Sequence, residues 1–193
     1  PDSPYPSLTQ LMDEWAADPA SLTVVGGSAV GGWDHLKVLL AAQAAGVDSV
    51  ERIQYVSFSS GGQAIIEIVG GRADVFTGDV SEALPQIEAG NLKILAVLAD
   101  ERIASMPDVP TAAEQGIDFV GANWRGFYVP AGISEERYQY WADAFRQLEA
   151  SEEYAEIRVQ NGLAPFARFG DEMEQFVLDQ VADIAELSAR IGE

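Results

Sequence analysis

The feature that most constrains this chain is a β-like run that breaks into glycines and restarts as a helix, and it occurs twice. Leu22-Thr23-Val24-Val25 is a short β-type run that enters Gly26-Gly27-Ser28-Ala29-Val30-Gly31-Gly32 directly. An apolar stretch from Leu36 to Ala45 follows and stops at Gly46. Ile53 to Phe58 then alternates like a strand, Ser59-Ser60-Gly61-Gly62 turns, and Gln63 to Val69 reads as a helix ended by Gly70-Gly71. Residues 73–77 form a third strand, and a helix over 81–89 ends at Gly90. The continuous apolar run Leu92–Leu98 predicts a buried central strand. Alternating short strands and helices call for an α/β unit with a mostly parallel sheet.

The flanking segments read differently. Ser7 is placed to cap a first helix with Leu8, Leu11, Met12 and Trp15 on one face. Thr111 is placed to cap a short helix with Glu114 at its third position. Trp124–Val129 is strand-like up to Pro130. Beyond it, Ser134 begins a long helical pattern with Tyr138, Trp141, Ala142, Phe145 and Leu148 on one face, a stripe that reads as core. Ser151 opens a short helix, and 162–169 is loop or edge strand. Residues 171–191 form an amphipathic helix with Phe176, Val177, Val181, Ile184, Ala185 and Leu187 inward. These late helices have one obvious strand to cover. Either they pack on the first unit, or their sheet is encoded upstream of Pro1. The expectation is of a piece of a longer protein, with the apolar faces of 134–150 and 171–191 unusually exposed in the chain alone.

Composition removes several function classes. The 193 residues are 48% apolar, too many for a disordered chain even at a net charge of -20. Eleven Lys+Arg against 31 Asp+Glu leave no basic face for nucleic acid or an anionic membrane. No stretch approaches the roughly 18 apolar residues of a membrane span. The absence of Cys excludes disulfides, thiolate nucleophiles and Cys-based zinc sites, and a single His excludes a multi-histidine metal centre. No metal and no cofactor is expected.

Each glycine-rich turn puts backbone N–H groups at a helix N-terminus, which favours a carboxylate or phosphate. The plain alternative is a tight strand-to-helix connection. The P-loop pattern fails for want of Lys-Ser/Thr, and the dinucleotide fingerprint fails on spacing. Two such turns at the ends of neighbouring parallel strands would face one crevice. His35 reads either as a ligand contact or as a hydrogen-bonded helix-start residue. Asp34 is a poor orienter for it, because adjacent residues do not share a helix face. Asp74, Asp79 and Glu82 read as a solvated rim, with Asp79 facing the crevice. Arg125 reads as pairing with an acid or binding a ligand carboxylate.

Five stretches then carry a family resemblance. They are Gly26–His35, Tyr55–Ala64, Leu95-Ala96-Val97 with Glu101-Arg102, Pro107–Thr111 with Glu114-Gln115-Gly116, and Asn123–Gly126 with Pro130–Ser134. In this order and spacing they resemble the substrate-binding receptors of tripartite tricarboxylate transporters, the Bug-type periplasmic solute-binding proteins. The resemblance implies an α/β fold of the type II periplasmic-binding-protein kind. Each of its two lobes has a mixed, mostly parallel sheet flanked by helices, and the first lobe is incomplete in this chain. It makes 1–122 the second lobe, bearing the ligand loops, and 123–193 the return segment of the first.

What it implies for function is a non-enzymatic extracytoplasmic or periplasmic receptor, free or surface-anchored. It would bind a small di- or tricarboxylate and hand it to membrane permease subunits. Gly27, Ser28, Ala29, Gly31, Gly32, Trp33, His35, Ser59, Ser60, Gly61 and Asp79 become the ligand-binding candidates. Trp33 departs from the subgroup, which commonly has Thr there. The rival readings are a hydrolase using Ser28 or Ser59 with His35, and a carboxylate sensor in signalling. On the receptor reading, Ser60→Ala should weaken ligand binding and leave the melting temperature nearly unchanged.

Overall fold

The computed structural model describes residues 3–191, less the side chains of a few positions near the end of the last helix. The chain divides into two compact units. One runs to Asn123 and takes in the residues from Ser188 on; the other is Trp124–Leu187.

The first unit is built in the predicted alternation. Helix α1 (Leu8–Ala17) starts where Ser7 Oγ accepts the Gln10 N–H. Strand β1 (Thr23–Gly26) leads into α2 (Trp33–Ala44), β2 (Gln54–Ser57) into α3 (Gly61–Val69), and β3 (Val75–Thr77) into α4 (Val80–Glu88). The three strands are parallel in the order β2-β1-β3. Parallel neighbours need a crossover, and the helices supply it. The core gathers Leu11, Met12 and Trp15 of α1, Val24 of β1, Leu39 and Ala42 of α2, and Ile53, Ala112 and Ile117. Trp15 is 1% exposed, so the α1 face read from sequence is buried.

Register decides where the loops go. Gly26 of β1 pairs with Ser57 of β2 and with Thr77 of β3. All three strands therefore end at one level. The three turns that follow leave the same edge of the sheet, at the helix N-termini.

Two strand expectations fail. Leu92–Leu98 is not a central strand: Val97 alone forms a β-bridge, parallel, with Thr111. The Gln115 amide and the Gly121 N–H take up the Leu95 and Leu98 carbonyls, so the run is held by single bonds, not by a ladder. An apolar run reports burial, and only Val97 of this one is fully buried. Trp124–Val129 is also not a strand, and Phe127 is 82% exposed. The expected Thr111–Glu114 capping box is present, with Glu114 N–H to Thr111 Oγ1 at 3.1 Å and Thr111 N–H to Glu114 Oε2 at 2.8 Å.

The second unit holds α5 (Glu135–Glu149), α6 (Glu152–Gln160) and α7 (Asp171–Ile191) as far as Leu187, with no strand among its described residues. Ser134 and Ser151 cap α5 and α6 by accepting the Arg137 and Tyr154 N–H groups. The α5 stripe is not core: none of its residues is buried, and Trp141 is 48% exposed. Its Trp141 and Phe145 rings lie 6.4 Å apart between centroids, and Phe145 also stacks on Phe127, which precedes the helix, at 4.7 Å. On α7, Phe176 and Val177 are half-buried and Val181 is exposed. Leu187 lies outside the described residues. Neither face is buried among its described residues, but the exposure expected of them is only partial, because Tyr138, Phe145, Phe176, Val177 and Ile184 are half-buried.

Candidate functional site

The site is the edge where the three turns meet. The loop after β1 and the loop after β2 touch: a Cβ on Gly27 would collide with the Gly61 nitrogen and lie 2.8 Å from the Ser60 carbonyl carbon. Glycine is needed at 27 because two backbones run side by side there. Of the predicted residues, the structure brings Gly27, Ser28, Ser60 and Gly61 together. Ala29, Gly31 and Gly32 continue the first loop into α2, and Trp33 and His35 lie in its first turn. Ser59 precedes Ser60 on the exposed side. Asp79 occupies the position before α4 and accepts a hydrogen bond from Asn123 Nδ2 at 2.8 Å.

The first loop is held by its own side chains. Gly32, at the α2 start, has no side chain, so Ser28 Oγ reaches over to accept the Asp34 N–H at 3.0 Å. The Tyr55 hydroxyl donates to the Ser28 carbonyl at 2.8 Å. Burial pushes the Tyr55 hydroxyl to a higher pKa than usual and keeps it a donor. The His35 ring lies 4.7 Å from the Tyr55 ring, centroid to centroid. Its Nδ1 accepts the Gly31 N–H at 3.1 Å. Asp34 does not orient His35. Its Oδ2 accepts the Gly27 N–H at 3.1 Å, and its Oδ1 pairs with Lys37 Nζ at 2.8 Å.

The His35 arrangement has a pH sign. An Nδ1 that accepts must be unprotonated, and burial holds the imidazole below its usual pKa. The contribution is therefore complete above the unfolded value of about 6.5 and is lost as pH falls through the folded one. Wild type should lead His35→Gln in melting temperature at pH 7.5, and that lead should shrink towards pH 5. A constant difference across that range would contradict the assignment.

The second loop is simpler. Ser60 Oγ caps α3 by accepting the Gln63 N–H, and Gly61 N–H donates to Glu82 Oε1 at 3.2 Å. This corrects the expectation for Ser60→Ala. Losing an N-cap oxygen costs about 1 kcal/mol, or roughly 2–4 °C in a chain of this size, so the melting temperature should fall.

Among the described residues, the N–H groups of Ser28, Ala29 and Val30 in the first loop have no protein partner, nor do those of Ser60 and Gly62 in the second. They are donors at helix starts without a cation among them, which suits a carboxylate. No hydrogen bond joins Ser28 or Ser59 to His35, so the nucleophile–base geometry of a hydrolase is not assembled. Asp79 and Glu82 share the first turn of α4, whereas Asp74 lies apart, just before β3, and accepts from Thr23 N–H. Among the described residues no cluster of His, Asp or Glu could hold a metal ion, and no helix is long and apolar enough to cross a membrane.

Sequence reading missed Lys37 and Tyr55, and it gave Glu82 only a place on a solvated rim, where the structure has it accepting the Gly61 N–H. Lys37 hid in an apolar run, although its i,i+3 spacing from Asp34 was visible. Tyr55 lay in a matched stretch but carried no assigned role. Glu82 reaches α3 from another element, a contact that no local spacing reveals.

The chain is similar to known proteins over nearly its whole length. A UPF0065 protein of Bordetella pertussis is 24% identical over 193 residues, covering 100% of this chain and 58% of its own length. The structure of R. palustris Rpa4515 with adipate superposes with a TM-score of 0.86 at 21% identity, over 99% of this chain and 62% of that one. MatC of Rhodopseudomonas palustris with bound malate gives 0.80 at 24% identity, over 95% and 62%. The chain thus spans about 60% of the length of the proteins it matches. The fold expectation holds: the chain shares the α/β fold of solved structures that include a TctC solute-binding protein and the periplasmic binding protein BugD. The profile described as "Tripartite tricarboxylate transporter family receptor" matches residues 1–192, and this chain belongs to that family.

Proposed function

We propose that the chain is the loop-bearing part of a non-enzymatic extracytoplasmic receptor. It binds a small carboxylate and delivers it to the permease of a tripartite tricarboxylate-type transporter. The observation that carries the reading is the pair of touching loops with uncommitted N–H groups on one sheet edge. Such donors are fixed before the ligand arrives, so little ordering entropy opposes binding. Family membership supports the receptor role, and neighbours solved with adipate and malate support the ligand class. Residues 1–122 serve as the second lobe, and 123–193 as the return segment of the first. The partly exposed α5 face and the additional length of the matched proteins support that division. Trp33, His35 and Asp79 line the rim, and the loop residues Ser28, Ala29, Ser59 and Ser60 contact the ligand.

Calorimetry with malate, adipate and citrate tests the reading. At least one should bind, and Ser60→Ala should weaken it roughly tenfold, the loss of one hydrogen bond to a charged group. Equal affinity in wild type and variant, or no binding at all, would contradict it.

A further inference from the structure

Two carboxylates of this chain already stand at the two loops. Asp34 holds the Gly27 N–H, and Glu82 holds the Gly61 N–H. A Cβ on Gly61 would collide with the Glu82 carboxyl group, so this glycine is what admits the side chain to the start of α3. The two acids differ in charge balance. Asp34 is paired with Lys37, and both side chains are largely buried. Glu82 has no cationic partner among the described residues, and its carboxylate sits beside the open Ser60 and Gly62 N–H groups.

We infer that Glu82 sets the charge of the ligand that these loops accept. It already supplies one negative group at the α3 N-terminus. The remaining donors take one ionised carboxylate, and a ligand bringing a second to the same loops meets repulsion. The favoured class is therefore an acid whose carboxylates are far apart or single, rather than one with clustered carboxylates. Glu82 is a specificity-determining residue, and this role rests on the carboxylate-receptor reading.

Adipate, with its carboxylates at opposite ends, and citrate, with three clustered, are the probes. Wild type should prefer adipate. Glu82→Gln keeps an oxygen acceptor for the Gly61 N–H and removes the charge. It should raise the citrate affinity relative to adipate by roughly tenfold, the order expected of one solvent-screened charge a few ångströms away. Glu82→Ala should change the ratio in the same direction while lowering the melting temperature through the lost cap. A wild-type preference for citrate, or an adipate-to-citrate ratio unchanged in both variants, overturns the inference and leaves the receptor reading standing. Failure of wild type and both variants to bind any carboxylate overturns the receptor reading, and the role of Glu82 with it.

Discussion

Lys37→Met should destabilise the first unit by about 4 kcal/mol, the range for removing one partner of a buried ion pair. Lys37 and Asp34 side chains are 4% and 13% exposed, and their charged atoms are 2.8 Å apart. Methionine fills the space of the Lys stem, so packing loss is small and the cost comes from the orphaned carboxylate. That carboxylate also holds the Gly27 N–H, so the first loop should loosen with it. Urea unfolding followed by circular dichroism reads the loss. Adding Asp34→Asn to Lys37→Met should recover part of it, because the amide oxygen still accepts from Gly27 without a buried charge. A single-variant loss under about 1 kcal/mol would mean that water reaches Asp34 and the pair is of the surface kind.

Gly27→Ala should cost about 3 kcal/mol, the upper range for forcing atoms into a packed site. Its added methyl meets the Gly61 nitrogen and the Ser60 carbonyl carbon, both backbone, so no side chain can swing away. Relief requires the two loops to separate, and ligand affinity should fall with stability. Gly31 is the contrast. Its φ of +81° strains any other residue, but nothing lies within 4 Å of an added Cβ. Gly31→Ala should cost about 1 kcal/mol, the left-handed penalty alone. Equal losses at the two positions, read from the same urea curves, would contradict the contact between loops.

What was legible in the sequence is what is local. Ser7, Ser134 and Ser151 announce their helices because a cap and the N–H it satisfies are three residues apart. β1 and β2 announce themselves through a short apolar or alternating run ended by glycine or serine. The loops that follow are legible for the same reason. Partnership is what failed. Leu92–Leu98 has the composition of a central strand, yet pairing depends on a neighbour, and only Thr111 offers one. The α5 stripe has the periodicity of a core face, and periodicity does not say what covers it. Inside the site, the His35–Gly31 contact lies within one turn of chain, whereas the Gly61–Glu82 bond joins residues 21 apart and only the shared sheet edge creates it.

The most direct test is amide NMR of the 15N-labelled protein during titration with malate and with adipate. The account predicts saturable shifts concentrated at the Ser28, Ala29, Ser60 and Gly62 N–H groups, with those of α1 and α6 unmoved. Shifts confined to other elements, or none at saturating acid, would contradict the claim that these two loops hold the carboxylate.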